Sequence, residues 1–297
     1  MRRFGLALGL FLVAGWPAGA WGAVQGIGVS PTSQEVALDP GGTYRGHITV
    51  INDGATDVNY RVYATDYRVT GETYVGNFDS SGKAADVSPV SWFSLPAGSF
   101  TVKARVEQTF DYTVNVPRTA AIGGHYAAVF VETIPPAGSG GAFVSRIERI
   151  GTLFYVNVRG EVRQDGSVMP LEVARLQSVG PVRGALRLHN DGNLHFLAEG
   201  TARLTGPFGA DAGKAVPLKG EVLPGTTRRF DLALPAPAPI GLYKVTATVK
   251  YLGRTEEVSR WMLLMPRVTF VIVGGTVLLL LGVGLWALVR RARRLRS

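Results

Sequence analysis

The chain has 297 residues, a formal charge of +9, a pI near 10.0 and no cysteine. Setting aside two arginines at its start and five at its end leaves 24 basic against 22 acidic residues, so the body lacks the basic excess that a nucleic-acid binder needs. Without cysteine there is no disulfide, lipoprotein anchor, thiol nucleophile or thiolate metal site, and the fold must rest on core burial.

Met1-Arg-Arg, the apolar run Phe4 to Ala14 and the small residues Ala18-Gly-Ala20 predict a signal peptide over 1–20. The spacing leaves the general secretory and twin-arginine export routes both open. From there to Pro266 the pattern is strand throughout, with no sustained 3.6-residue apolar period. Tyr44 to Ile51 and Val58 to Ala64 are rich in β-branched and aromatic residues, and Asn52-Asp-Gly54 between them predicts a turn that uses φ > 0. Pro135 to Gly141 reads as a hairpin loop before another strand, Ile150 to Val158. In Tyr243 to Tyr251 every odd-numbered residue is apolar and the rest are Lys or Thr, as in a half-exposed antiparallel strand.

The two halves repeat one another. Asn52-Asp-Gly54, Phe110-Asp111, Val116-Pro117 and Gly124-His-Tyr126 recur in order as Asn190-Asp-Gly192, Phe230-Asp231, Leu234-Pro235 and Gly241-Leu-Tyr243. The expected fold is therefore all-β: two tandem immunoglobulin-like β-sandwich domains, over 24–160 and 161–266, plus one C-terminal transmembrane helix. That helix is placed at Val268 to Val289, 22 residues without a charge, which rise about 33 Å as a helix. The basic tail, 290–297, is retained on the cytoplasmic side, which predicts a single-pass type I protein of the cell membrane with the bulk of the chain extracytoplasmic.

No zinc-protease, nucleophile-elbow or phosphate-loop motif occurs, so neither an enzyme nor a cofactor is expected. Four histidines are present, and only His189 and His195 are close in sequence. If the intervening turn closes a hairpin they face each other across two strands, but packing is the expected role and no metal is assigned. The aromatics are more promising. Trp92 is expected in the core, whereas Tyr63, Tyr67 and Tyr74 are the candidates for an exposed ligand-binding patch, since amphipathic rings bind well on rigid strands.

Ser91-Trp-Phe93, Leu95, Val116-Pro117, Ala121 and Gly123-Gly-His-Tyr126, after Ser30-Pro31 and Asn52-Asp-Gly54, resemble the first domain of WxL-interacting bacterial surface proteins. The resemblance implies a peptidoglycan-binding sandwich, a second sandwich, one membrane span and a basic tail, with no binding residue carried over. Ser30-Pro31 and the early Asn turn are also similar to periplasmic pilus chaperones, from which the C-terminal span sets the chain apart. The leading expectation is thus a non-enzymatic adhesion protein engaging cell-wall glycan or a surface protein partner. The alternative is a membrane-tethered assembly chaperone that pairs an edge strand with clients, and a carbohydrate-active enzyme comes third. An exposed aromatic patch would favour the first, an uncovered edge strand the second, and a cleft with facing carboxylates the third.

Overall fold

The computed structural model describes residues 26–78, 88–134, 147–178, 180–236 and 240–294. The predicted signal peptide and the loop Pro135 to Gly141 lie outside them. In chain order the first half forms β1 Ile27–Ser30, β2 Ser33–Leu38, β3 Thr43–Asn52, β4 Val58–Asp66, β5 Arg68–Thr70, β6 Val75–Asn77, β7 Phe93–Ser94, β8 Ser99–Val102, β9 Val106–Asn115, β10 Gly123–Ile134 and β11 Arg149–Val158. The second half forms β12 Gly166–Val168, β13 Glu172–Val173, β14 Leu176–Gln177, β15 Val182–Asn190, β16 Phe196–Thr205, β17 Val216–Val222, β18 Thr227–Leu234, β19 Gly241–Tyr251 and β20 Arg254–Leu264, followed by helix α1 Arg267–Arg294.

These make two tandem sandwiches. The first packs the sheet β1-β3-β9-β7 on the sheet β2-β11-β10-β4-β8, and the second packs β12, β13, β15 and β18 on β14-β20-β19-β16-β17. Each encloses its own core, the first built from residues such as Ile48, Tyr60, Trp92 and Phe154, the second from Leu186, Leu204, Tyr243 and Met262. In β19 the odd residues Tyr243 to Tyr251 are all buried, as their alternation requires. Within each half an early segment changes sheets. β1 pairs with β3 but β2 runs parallel to β11, and β13 pairs with β15 but β14 runs parallel to β20.

The repeated Asn-Asp-Gly segments do something other than expected. β3 and β4 belong to different sheets, as do β15 and β16, so each segment is a crossing between layers and not a hairpin turn. Neither Gly54 nor Gly192 has a positive φ. The period of two that buries Ile48 and Val50 carries Asn52 inside as well, and Leu186 and Leu188 do the same for Asn190. Each side chain then satisfies the backbone around it. Asn52 donates to the C=O groups of Thr56, Val102 and Lys103 at 2.9–3.1 Å and accepts the Gly54 N–H. Asn190 donates to Leu194 and Val222 and accepts the Gly192 N–H.

α1 is long and apolar enough to cross a membrane. Only Met265 and Pro266 separate it from the last residue of β20.

Candidate functional site

The three candidate tyrosines do not form an exposed patch. All are half-buried, and each ring or hydroxyl is already engaged within the chain. Tyr63, on the outer face of β4, donates its hydroxyl to Glu132, which also receives Arg61 at 3.0 Å. The hydroxyl and the guanidinium hold the Glu132 carboxyl below the usual range against the opposing effect of burial. Tyr67 stacks on Phe78 at 5.5 Å and meets Tyr155 edge-on. Tyr74 leaves the first sandwich altogether, at the tip of the β5–β6 hairpin.

That hairpin is a strut between the sandwiches. The Tyr74 hydroxyl bonds Thr226 and accepts the Leu223 N–H at 2.9 Å, with the Arg228 guanidinium 4.6 Å above its ring. Glu72 accepts the Arg229 N–H on its backbone carbonyl at 2.8 Å, and its carboxylate pairs with Arg187, which Glu172 also holds. Tyr74 itself sits at φ 59, a left-handed conformation costing roughly 1–2 kcal/mol for a residue with a Cβ, and its contacts with the second sandwich hold it there. Replacing Tyr74 with Phe strands the Leu223 amide. Removing a partner from such a group costs about 1–3 kcal/mol, so exchange of that amide should quicken by about fivefold or more. Exchange at the wild-type rate would show that the strut does not hold the joint.

A second contact also joins the two sandwiches. His195, just before β16, inserts between Tyr126 and Tyr155 of the first sandwich, its ring centre 4.9 Å from that of Tyr155. The Tyr126 hydroxyl accepts the His195 backbone N–H at 3.1 Å and lies 3.2 Å from its Nδ1. Gly124 donates to the Asn193 carbonyl at 2.8 Å, and the Asn193 amide returns a bond to Ile122. His195 and His189 therefore do not face each other. His189 bonds Thr227 and lies 3.3 Å from Asp191, and no group of three or more metal-binding side chains converges among the described residues. Burial pushes the His195 pKa below its ordinary 6.5, with Glu35 at 3.7 Å opposing. The folded state thus favours the neutral ring, and its contribution is complete above pH 6.5 and lost as pH falls below that value. His195→Gln should show a smaller drop in melting temperature than the wild type between pH 7 and pH 5, and an equal drop would remove His195 from the account. Between the two contacts lies a cleft of about 370 Å³ lined by Tyr67, His125 and Tyr126 on one side and Leu223, Pro224 and Thr226 on the other.

The chemically unspent feature is an edge. β10 pairs with all ten residues of β11, but β2 pairs only from Leu153 to Val158. Glu148 accepts the Thr133 N–H, and Leu153 donates to Thr32, so even-numbered residues turn their backbone groups to β10 and odd-numbered ones turn them away. The N–H and C=O of Arg149 and Gly151 consequently point away from β10, on the side where β2 does not pair with them and where the Thr152 hydroxyl donates to the Pro31 carbonyl at 2.6 Å. Ile147, just upstream, is 59% exposed, and Ile150 is half-buried at the border of the core. β20 holds the corresponding place in the second sandwich and is open from Arg254 to Met262, but Arg254, Glu256, Glu257 and Arg260 along it are the charges by which edges avoid pairing. The register mismatch of β2 and β11 was not visible in the sequence, where only the strand at 150–158 was legible.

No family model and no curated protein matches the chain. Among solved structures it is similar to the class 5 fimbriae chaperone CfaA, at 12% identity and a TM-score of 0.41, covering 81% of this chain and all of that one. It is similar to the Escherichia coli chaperone DraB, at 14% identity and a TM-score of 0.38, covering 80% and 97%. It is also similar to a chain of the CsuC–CsuE chaperone–tip adhesion subunit pre-assembly complex of Acinetobacter baumannii Csu pili, at 12% and 0.39, covering 79% and 97%. At this level the likeness is one of fold. The wall-binding and adhesion reading is corrected: these three solved structures are two chaperones and a chaperone–subunit complex, and the tyrosines meant to form its binding patch are half-buried and engaged within the chain.

Proposed function

We propose that the protein is a membrane-tethered, non-enzymatic assembly chaperone that holds a secreted surface-protein client by strand pairing at the open half of β11. The observation that carries this is that β11 runs four residues beyond its partner β2, leaving N–H and C=O groups turned away from β10 beside the exposed Ile147. An unpaired stretch of edge is a template for an extended segment of another chain, with main-chain bonds supplying affinity and alternate side chains supplying register. The sandwiches, taken as 24–160 and 161–266, form the holding body, α1 keeps it at the cell membrane, and the basic tail fixes a type I orientation. The two joint contacts fix how the second sandwich stands behind the edge.

A photoreactive residue in place of Ile147 in the full, membrane-borne chain tests the reading. The expected product is a crosslink to a β-rich surface subunit through one of its own strands. Crosslinks confined to wall glycan, or release of soluble sugar from the wall, would reject it.

A further inference from the structure

The lower end of the second sandwich gathers exposed apolar side chains beside α1. The registers of β14, β20 and β19 set Leu176, Leu263 and Leu242 side by side in one row. Met262 and Leu264 are buried, so Leu263 and Trp261 point to the outer face. Leu176, Leu242 and Trp261 are 49%, 48% and 48% exposed. Arg175 precedes the row and Lys244 is opposite Trp261, and neither makes an ion pair among the described residues. The Met265 N–H donates to the Gln177 carbonyl at 2.8 Å, which pins the chain to the sandwich until one residue before Arg267 begins α1.

We infer that this face seats on the anionic headgroup surface of the bilayer that α1 crosses, an inference that rests on the membrane-spanning reading above. The tether selects the occupant. At no more than about 3.5 Å per residue, Leu263 lies within roughly 15 Å of the start of the helix, so the membrane surface is held beside the row whatever else is in solution. Leucine and tryptophan bordered by unpaired cations match the chemistry of that surface, where aromatic rings settle at the headgroups and basic residues are drawn to anionic lipid. A sandwich standing upright on α1 would lift the row clear of the headgroups. Seating therefore leans the outer face of β14, β20 and β19 toward the bilayer, with Pro266 at the bend.

The chain lacks cysteine, so single spin labels at L242C, T255C and G282C report one position each. They are read on the full chain in vesicles of phosphatidylcholine and phosphatidylglycerol. The expected result is that the label at 242 collides with oxygen and is shielded from an aqueous nickel chelate, as at 282, while the label at 255, high on the same outer face, meets the chelate freely. Arg175→Gln and Lys244→Gln should each lower the ratio of seated to lifted sandwich about fivefold, the factor for roughly 1 kcal/mol per basic residue near an anionic surface. If 242 meets the chelate while 282 stays in lipid, the seat is wrong and the span stands. If 282 meets the chelate, the spanning reading itself fails. A label at 242 shielded from both reagents would mean that protein covers the row, a second copy or a partner, and would also overturn the inference.

Discussion

In the Arg149→Pro variant, capture of a client strand falls by about ten- to a hundredfold while the first sandwich keeps its fold. The backbone N–H of residue 149 points to the open side of β11, away from β10, so proline removes a donor that the sandwich does not use. A client carbonyl left facing that position loses about 1–3 kcal/mol, which sets the expected factor. The Arg149 side chain also covers the Phe130 ring at 4.4 Å, so Arg149→Ala is the companion that loses this contact and keeps the N–H. Crosslinking from position 147 should persist in R149A and vanish in R149P. Equal crosslinking in both would show that clients do not pair with β11, whatever else they touch.

Asn52→Leu and Asn190→Leu each lower stability by roughly 3–5 kcal/mol, or about 10–20 °C in the melting temperature of the sandwich concerned. Leucine keeps the branching and heavy-atom count of asparagine but is bulkier, so the loss combines the polar contacts with some overpacking. In the first sandwich the C=O groups of Thr56, Val102 and Lys103 lose their donor, and Gly54 its acceptor. In the second, Leu194, Val222 and Gly192 are left in the same state. Buried backbone groups without partners are costly because nothing replaces the water they gave up. Asp53 sits beside Asn52 but is exposed, and Asp53→Ala should change the melting temperature little. A loss below about 1 kcal/mol in either leucine variant would mean that water takes over the role of the amide.

The edge and the joint have different origins. The edge follows from the early change of sheet, which leaves β2 too short to cover β11, and the joint follows from the hairpin Arg68–Asn77, which no repeat between the halves announces. Residues of the joint are scattered over Glu72, Tyr74, Tyr126, Arg187, His195 and Leu223, with hydrogen bonds that reach across as many as 157 residues, from Arg229 to Glu72. Local pattern holds no trace of such pairs.

Periodicity alone determined that this chain is strands, two sandwiches and one long apolar helix, because a period of two and a run of uncharged residues are local properties. Trp92 was also expected in the core and is buried there, on a short 3-10 turn just before β7. The repeated asparagines were visible as a sign but misread as turn-formers, since nothing local distinguishes an Asn that bends the chain from one whose parity sends it inside. Only the tertiary structure decided the fate of Tyr63, Tyr67 and Tyr74. Parity says that a ring leaves the core face, but whether water or another element meets it depends on Glu132, Phe78 and Thr226, which the fold brings from other strands and from the other sandwich. The open side of β11 was likewise a matter of register between strands more than 100 residues apart, a quantity that no stretch of sequence carries by itself.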